Sequence, residues 1–248
     1  MKLATRIGLF TILFSLLFYL VRSYDIIHIA VLSKELNGIG WLYSIIGLIF
    51  GVISGFVIQT QWNDWDKLIS AMHGELKTLR QLHQYSKHLS KKSHKQMTKT
   101  LSWYVQATIT DWHENLNGGS ANSVNRAIKT LQEDITELEN MPRKFENTNR
   151  FFTAFLGYHE DMVHYSSRRL PRILHILILF SSSLVIGLSL FIGVRTLWLD
   201  YIITLAIALL AFLIYYVIHD LDDPLKTGNW HITSHDYQVF LKEITKDK

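Results

Sequence analysis

The residues best suited to chemistry in this chain are its 12 histidines, because the 248 residues include no cysteine. Without cysteine there are no disulfides, thiol nucleophiles or thiolate metal sites. His159, Glu160 and His164 come closest to a zinc-binding motif, but two ligands on one face of a helix should be four residues apart. A separation of five places the two histidines about 140° apart around the helix. We therefore expect no metal site and no cofactor.

Three aspartates after the last apolar stretch form a second candidate site. Asp220, Asp222 and Asp223 could bind a cation, although carboxylates next to a span more often cap a helix or form salt bridges at the membrane face. The sequence has no glycine-rich phosphate loop and no distinctive pairing of a nucleophile with a base. We therefore predict that the protein is not an enzyme.

Four apolar stretches decide the class of protein. They are Ile7–Val21, Trp41–Gln61, Ile173–Val194 and Leu197–Ile218. The last three contain 21 or 22 residues, and at about 1.5 Å per residue each can cross a hydrocarbon core of roughly 30 Å. Such stretches identify a membrane protein, and we expect them to place no aspartate, glutamate, lysine or arginine inside the bilayer. That expectation argues against an ion-coupled pump, but not against a channel with an apolar pore.

The first stretch is short enough to be a signal peptide as well as a span. It holds 15 residues between Arg6 and Arg22, and both arginines can snorkel to extend its reach. No small-residue cleavage site follows it, so we expect a retained membrane anchor.

Lysine and arginine residues near the span ends predict the orientation of the chain. They are concentrated before the first span and around the long segment between the second and third: Lys2, Arg6, Lys67, Arg168, Arg169 and Arg172. The positive-inside rule then places both termini and the central segment in the cytoplasm. We predict a multi-pass protein of a cell inner membrane. The net charge of +4 is too small to indicate a nucleic-acid partner.

The pattern as a whole predicts an all-α, four-span helical membrane protein with an amphipathic helical cytoplasmic region inserted between spans 2 and 3. From Trp65 onwards, apolar residues recur every three or four positions, and no glycine or proline cluster separates this run from span 2. The second helix is therefore expected to leave the membrane unbroken. The predicted divisions are 1–62 with spans 1 and 2, 63–169 with the cytoplasmic helices, 170–219 with spans 3 and 4, and 220–248 as a cytoplasmic tail.

Further local predictions concern the loops and the central segment. The short apolar piece Ile26–Leu32 is expected at the outer interface of the membrane. Three more amphipathic helices are expected near 97–116, 124–141 and 147–170. Asn122 or Ser123 should cap the second of these, and Pro142 should stop it.

Span 2 has the most regular pattern. Gly47, Gly51 and Gly55 repeat every four residues, a spacing that lets another helix approach closely in lipid. A second stripe lies about 200° around the same helix and consists of Ile45, Ile49 and Ile53. In one interpretation the glycines pack inside the subunit and the isoleucines contact lipid. In the other, the glycines pack within or between subunits and the isoleucines line a narrow apolar pore.

Two motifs in this sequence resemble those of the bestrophin family. The run from Ile45 through Trp62 to Leu68 is similar to the second transmembrane helix of bestrophins and its exit from the membrane. The segment Asp220-Leu221-Asp222-Asp223-Pro224 resembles the acidic-proline motif after their last span. The predicted topology, with four spans and both termini in the cytoplasm, also agrees with that of bestrophins. The chain resembles the bacterial bestrophin-like proteins over about residues 40–235.

The resemblance implies a homopentameric channel for anions or, as in some bacterial members, for cations. Bestrophins line a narrow neck with apolar side chains one helical turn apart on the second span, and the corresponding residues here are Ile45, Ile49 and Ile53. Gln61-Trp62-Asn63 stands where bestrophins have an arginine followed by paired tryptophans, which leaves anion selectivity open. The acidic calcium-binding run of animal members is absent after Pro224, so calcium gating is not expected.

Two functions remain at this point. The first is an oligomeric inner-membrane ion channel, passing anions or weakly selective, with span 2 lining an apolar neck. Its partners would be the lipid bilayer, further copies of the chain (five by resemblance) and a permeant small ion. The alternative is a non-conducting membrane scaffold or regulator that binds a protein through its cytoplasmic helices. The number of subunits separates the two, because a monomer or dimer cannot enclose a neck built from one helix per subunit.

Overall fold

The computed structural model of the chain describes residues 3–23, 40–117, 121–138, 140–191, 196–226 and 230–246. These residues form nine α-helices and no strand, which confirms the all-α prediction for the described part of the chain. The helices are α1 Leu3–Ser23, α2 Gly40–Ser86, α3 Lys91–Thr110, α4 Trp112–Leu116, α5 Asn122–Thr136, α6 Pro142–Ser167, α7 Arg172–Phe191, α8 Leu197–Leu221 and α9 His235–Lys246.

Four of the described helices are long and apolar enough to cross a membrane, namely α1, α2, α7 and α8. The longest is α2, with 47 residues, and it continues past its apolar part without a break. This continuity confirms the prediction made from the apolar spacing. Its second half has no proline and a single glycine, Gly74, so nothing in the sequence ends the helix before Ser86. The apolar piece Ile26–Leu32 lies outside the described residues.

The chain divides into two compact units. The membrane unit consists of Met1–Gln61 and Leu170–Leu221. The polar unit consists of Trp62–Arg169 and Asp222–Lys248. The domain boundaries and the cytoplasmic position of the polar unit stay predictions.

In the membrane unit, α1 and α8 pack in an antiparallel arrangement. The rings of Phe10 and Phe212 lie 4.3 Å apart, and those of Phe18 and Tyr201 lie 5.3 Å apart. The first half of α1 thus contacts the second half of α8, and the second half of α1 contacts the first half of α8. Phe14 and Phe18 of α1 share a buried cluster with Ala208 of α8.

The polar unit has a continuous core built from the second half of α2 and from α3 to α6 and α9. Its largest fully buried side chains include Tyr104, Phe155, Tyr237 and Phe240. Two of these, Tyr237 and Phe240, belong to α9. Helix α9 was not predicted from the sequence, although its apolar residues are buried in this core.

Two predicted helix ends are wrong. Helix α5 begins at Asn122 with Ala121 as its N-cap, and no side chain caps it. Pro142 begins α6 instead of only stopping the helix before it. Proline suits the first turn because its missing N–H has no acceptor there in any helix.

One expectation about the spans is also wrong. Asp200 lies in the first turn of α8, within the fourth apolar stretch, and is 2% exposed. Its carboxylate forms an ion pair with Arg22, in the last turn of α1. The positive charge of Arg22 offsets the desolvation cost of burying the Asp200 carboxylate. An isolated aspartate at this position would have no such compensation.

Candidate functional site

One face of α2 in the membrane unit is buried against α7 and α8. Phe50 contacts a cluster with Val185 and Ala211, and Val57 contacts one with Ile178 and Ile218. Ser54 lies between them and is 1% exposed. Buried residues spaced by three or four fix the rotation of the helix about its own axis. The opposite side of α2 is therefore directed away from the rest of the described subunit.

That opposite side is apolar and exposed, and we call it the open face. It consists of Ile45, Leu48, Ile49, Val52 and Phe56, whose exposed fractions are 41%, 67%, 52%, 65% and 71%. No acidic or basic residue belongs to it. Five large apolar side chains in three helical turns need a cover other than water.

Two of the three predicted neck residues, Ile45 and Ile49, belong to the open face. Ile53 does not, because it is partly buried and packs against the cluster around Val57. A strict spacing of four residues turns by about 40° at each step, so a stripe chosen in this way drifts off the face. Val52 and Phe56 were therefore not predicted as part of this face, although alternating steps of three and four residues would have included them.

The three glycines of α2 face open space among the described residues. A Cβ atom added at Gly47, Gly51 or Gly55 would have no heavy atom within 4 Å outside the helix's own nearby backbone. Packing of these glycines inside the subunit is thus not seen in the part of the chain that the structure describes. Packing between subunits stays a prediction.

The acidic-proline motif and the end of α6 form a network of ion pairs within the polar unit. Asp223 accepts a hydrogen bond from Arg169 Nη2 at 3.1 Å and another from the backbone N–H of Leu225 at 3.2 Å. The neighbouring Arg168 donates to Asp64 of α2 at 3.1 Å. In the same motif, the carbonyl of Pro224 accepts from Ile232 N–H at 2.9 Å.

These ion pairs join the three places where the chain passes from one unit to the other. Asp64 follows the crossing in α2, Arg168 and Arg169 precede the second, and Asp223 follows the third. The other motif residues lie close by in sequence: Asp220 is in the last turn of α8, and Asp222 follows that helix. Trp62 is 42% exposed, with its ring 5.4 Å from that of Trp65 and 6.3 Å from that of Trp230.

A buried polar network lies in the core of the polar unit. The hydroxyl of Tyr104 donates to Glu75 Oε1 at 2.7 Å and lies 3.0 Å from His159 Nδ1. His159 Nδ1 lies 3.3 Å from Glu75 Oε2, and Glu75 is 0% exposed. Burial, followed by the nearby Glu75 charge, raises the pKa of Tyr104 and of Tyr237 well above 10. Both tyrosines are therefore neutral donors at physiological pH.

Of the three residues whose spacing argued against a zinc motif, only His159 belongs to this network. Its Nδ1 atom faces Glu75 and Tyr104, while Glu160 and His164 do not take part in it. Among the residues that the structure describes, no group of three possible metal ligands comes together.

Comparisons with known proteins give one clear family. The sequence matches the bestrophin-like domain over residues 8–232. The fold is similar to the crystal structure of a bacterial bestrophin homologue from Klebsiella pneumoniae, with a TM-score of 0.75, 12% identity, and coverage of 99% of this chain and 98% of that one. It is also similar to a crystal structure described as a membrane protein variant, with a TM-score of 0.76, 14% identity, and coverage of 99% and 98%. No curated protein matches the sequence.

Proposed function

The chain belongs to the bestrophin-like family, and from this premise we propose that it is an oligomeric ion channel of a cell inner membrane, with the membrane part of α2 lining the pore. The open face of α2 carries this proposal. An apolar face that the subunit leaves uncovered can be covered by lipid, by another subunit or by the same face of other copies around an axis. The third arrangement produces an apolar neck, which gates ions by excluding water from a narrow hydrophobic segment.

Within this proposal, the neck includes Ile45 and Ile49 and extends to Val52 and Phe56. Ile53 supports the neck from behind, because it packs against the cluster of Val57 on the inner side of the helix. The exposed glycines Gly51 and Gly55 adjoin the open face and allow close contact with the neighbouring subunit.

The permeant ion is an anion or a poorly selected small ion. The open face has no acidic or basic side chain, so selectivity cannot come from a ring of charges on it. Both termini and the polar unit lie in the cytoplasm, as the distribution of lysine and arginine favours.

Flux measurements in liposomes containing the purified oligomer test this proposal. Ile49→Ala and Phe56→Ala are expected to raise ion flux several-fold, because smaller side chains widen the neck and lower its barrier to water. The matched control is Ile46→Val, a small change on the packed side of the same helix, and it should leave flux unchanged. Absence of flux from folded oligomers would exclude the channel.

A non-conducting scaffold is the second candidate, and a basic groove in the polar unit favours it. Lys92, Lys95 and Lys99 of α3 line this groove of about 490 Å³ together with the exposed Trp103. Asp134 also lines it, and its carboxylate accepts hydrogen bonds from Gln96 and Thr100, so the lysines give the groove a net positive charge. Such a surface fits an acidic protein segment. A particle of one or two subunits in detergent would support the scaffold, since it could not form a neck.

A further inference from the structure

A lateral groove of about 300 Å³ lies between α1 and α8 in the membrane unit. It is located where α1 begins and α8 finishes, which is the same end of the spans because the two helices are antiparallel. Arg6, Tyr215 and His219 line its polar end, and Leu9, Leu13 and Phe212 line the remainder. Asp220 is adjacent to His219 in sequence but does not line the groove.

The guanidinium of Arg6 is held in place but has unused donors. Its Cζ atom lies 5.3 Å from the ring centroid of Tyr216, a residue that is 8% exposed. Within the described part of the chain, no carboxylate is paired with Arg6. A cation–π contact occupies the face of the guanidinium and leaves its in-plane N–H groups free for an anion.

The other polar groups at this end are also donors. The ring of His219 stacks on that of Tyr215, with centroids 6.2 Å apart and planes 3° from parallel. A neutral imidazole still offers one N–H, and a tyrosine hydroxyl offers one O–H. The polar end of the groove therefore combines the positive charge of Arg6 with two further hydrogen-bond donors.

The rest of the groove is apolar and open to the side. Leu9 and Leu13 are 54% and 60% exposed, and Phe212 forms the wall on α8 through its stacking with Phe10. From Arg6 to Leu13 the helix rises by about 10 Å, which is about two thirds of the hydrocarbon thickness of one leaflet. In a protein that spans a membrane, this surface meets acyl chains.

We propose that this groove binds one anionic phospholipid, with its phosphate on Arg6, Tyr215 and His219 and part of an acyl chain along Leu9 and Leu13. Arginine binds phosphate through two parallel hydrogen bonds, which fixes the headgroup as well as attracting it. A lipid with a net negative charge is preferred over a zwitterionic one, because the site supplies a positive charge that no carboxylate of the described residues neutralises. Under the proposed topology the site belongs to the cytoplasmic leaflet.

Native mass spectrometry of the detergent-purified protein tests this inference. Phosphatidylglycerol should give a retained adduct at a lower concentration than phosphatidylcholine, and inorganic phosphate alone should give none. Arg6→Gln should weaken phosphatidylglycerol binding about tenfold, the loss expected for one charged hydrogen-bonded contact. Arg172→Gln, which removes an exposed charge outside the groove, should leave it unchanged.

A steric variant tests the apolar part independently of charge. Leu13→Trp fills the groove from an exposed position and should also weaken phosphatidylglycerol binding, with Arg6 intact. Equal binding of the two lipids would overturn the proposal, and so would equal losses in Arg6→Gln and Arg172→Gln. Binding of inorganic phosphate with the same dependence on Arg6 would assign the site to a free anion instead. None of these outcomes depends on ion flux, so the proposed channel is tested separately.

Discussion

At the residue scale, the core of the polar unit depends on tyrosine hydroxyls that stay protonated. Tyr104 and Tyr237 are both completely buried, and their pKa is raised by burial and then by Glu75. A hydroxyl in this setting serves as a donor to a carboxylate that water cannot reach. The folded state therefore retains protons that an unfolded chain would release above about pH 10.

The first prediction is a loss of stability in alkaline solution. Above about pH 10, the free energy of unfolding should fall with pH by up to about 1.4 kcal/mol per pH unit for each buried tyrosine, because only the unfolded state ionises. Tyr237→Phe should reduce the dependence of the free energy of unfolding on pH by the contribution of one tyrosine, measured by thermal unfolding from pH 9 to 11. Tyr158→Phe, at an exposed ring, is the control. An identical slope in Tyr237→Phe and the unaltered protein would contradict the prediction.

The second prediction concerns the ion pair between Arg22 and Asp200. Asp200 is 2% exposed, so Arg22→Gln should leave a buried carboxylate without compensation and cost about 3–5 kcal/mol of stability. Combining Arg22→Gln with Asp200→Asn should restore much of that loss, since no net charge then remains to be buried. Thermal unfolding in detergent measures the three variants. A double variant as unstable as the sum of the two single changes would show that the pair is not coupled.

At the element scale, α2 and α6 approach each other closely at Gly74. A Cβ atom at this position would lie 2.5 Å from ring carbons of Tyr158. Two effects then oppose each other in Gly74→Ala. Alanine favours a helix interior over glycine by about 1 kcal/mol, whereas overpacking of this kind costs about 1–3 kcal/mol.

The third prediction is that the sign of Gly74→Ala depends on Tyr158. In the unaltered background, the substitution should destabilise the protein or be neutral, because the clash outweighs the gain in helix propensity. In a Tyr158→Ala background, the same substitution should stabilise it by about 1 kcal/mol, since only the propensity effect remains. Equal effects of Gly74→Ala in both backgrounds, measured by thermal unfolding, would show that the contact is not energetically important.

The elements also show where sequence reasoning succeeds. The length of α2 could be predicted because no proline interrupts its periodic apolar residues before Ser86. The start of α5 could not, since Ala121 has no side chain to form a cap and gives no signal. Helix α9 has a clear apolar face, but it is short and near the end of the chain. Its stability comes from packing Tyr237 and Phe240 into the shared core, which a local pattern does not report.

The candidate site could be predicted only in part, because local spacing does not report the tertiary packing of α2. Spacing alone identified α2 and two residues of its open face, Ile45 and Ile49. Which residues complete that face depends on how α2 is rotated, and Phe50 and Val57 set the rotation through contacts with α7 and α8. Asp200 is visible in the fourth stretch of the sequence, but its ion pair with Arg22, 178 residues earlier in the chain, could not be predicted because a window of hydropathy does not register such a pair.

At the scale of the whole molecule, the described residues of one chain leave the open face of α2 and the glycines beside it uncovered. A Cβ atom added at Gly51 or Gly55 would meet no described atom beyond the adjacent residues and nearby helix backbone, and the five large apolar residues of the open face are between 41% and 71% exposed. Lipid could cover the isoleucines, but lipid gains nothing from a row of glycines. Small residues instead favour another helix, whose backbone they allow to come close.

The fourth prediction tests whether a neighbouring subunit or lipid covers the glycines of α2. Gly51→Leu adds a side chain where a neighbouring subunit would lie close, so it should shift the purified protein from the assembled ring to smaller particles, measured by native mass spectrometry. Gly8→Leu is the matched control, because Gly8 also faces open space but lies on α1. If Gly51→Leu retains the full subunit number, the glycines face lipid and the neck must be built without them. If it dissociates the ring and ion flux is lost with it, assembly through α2 and conduction are properties of one structure.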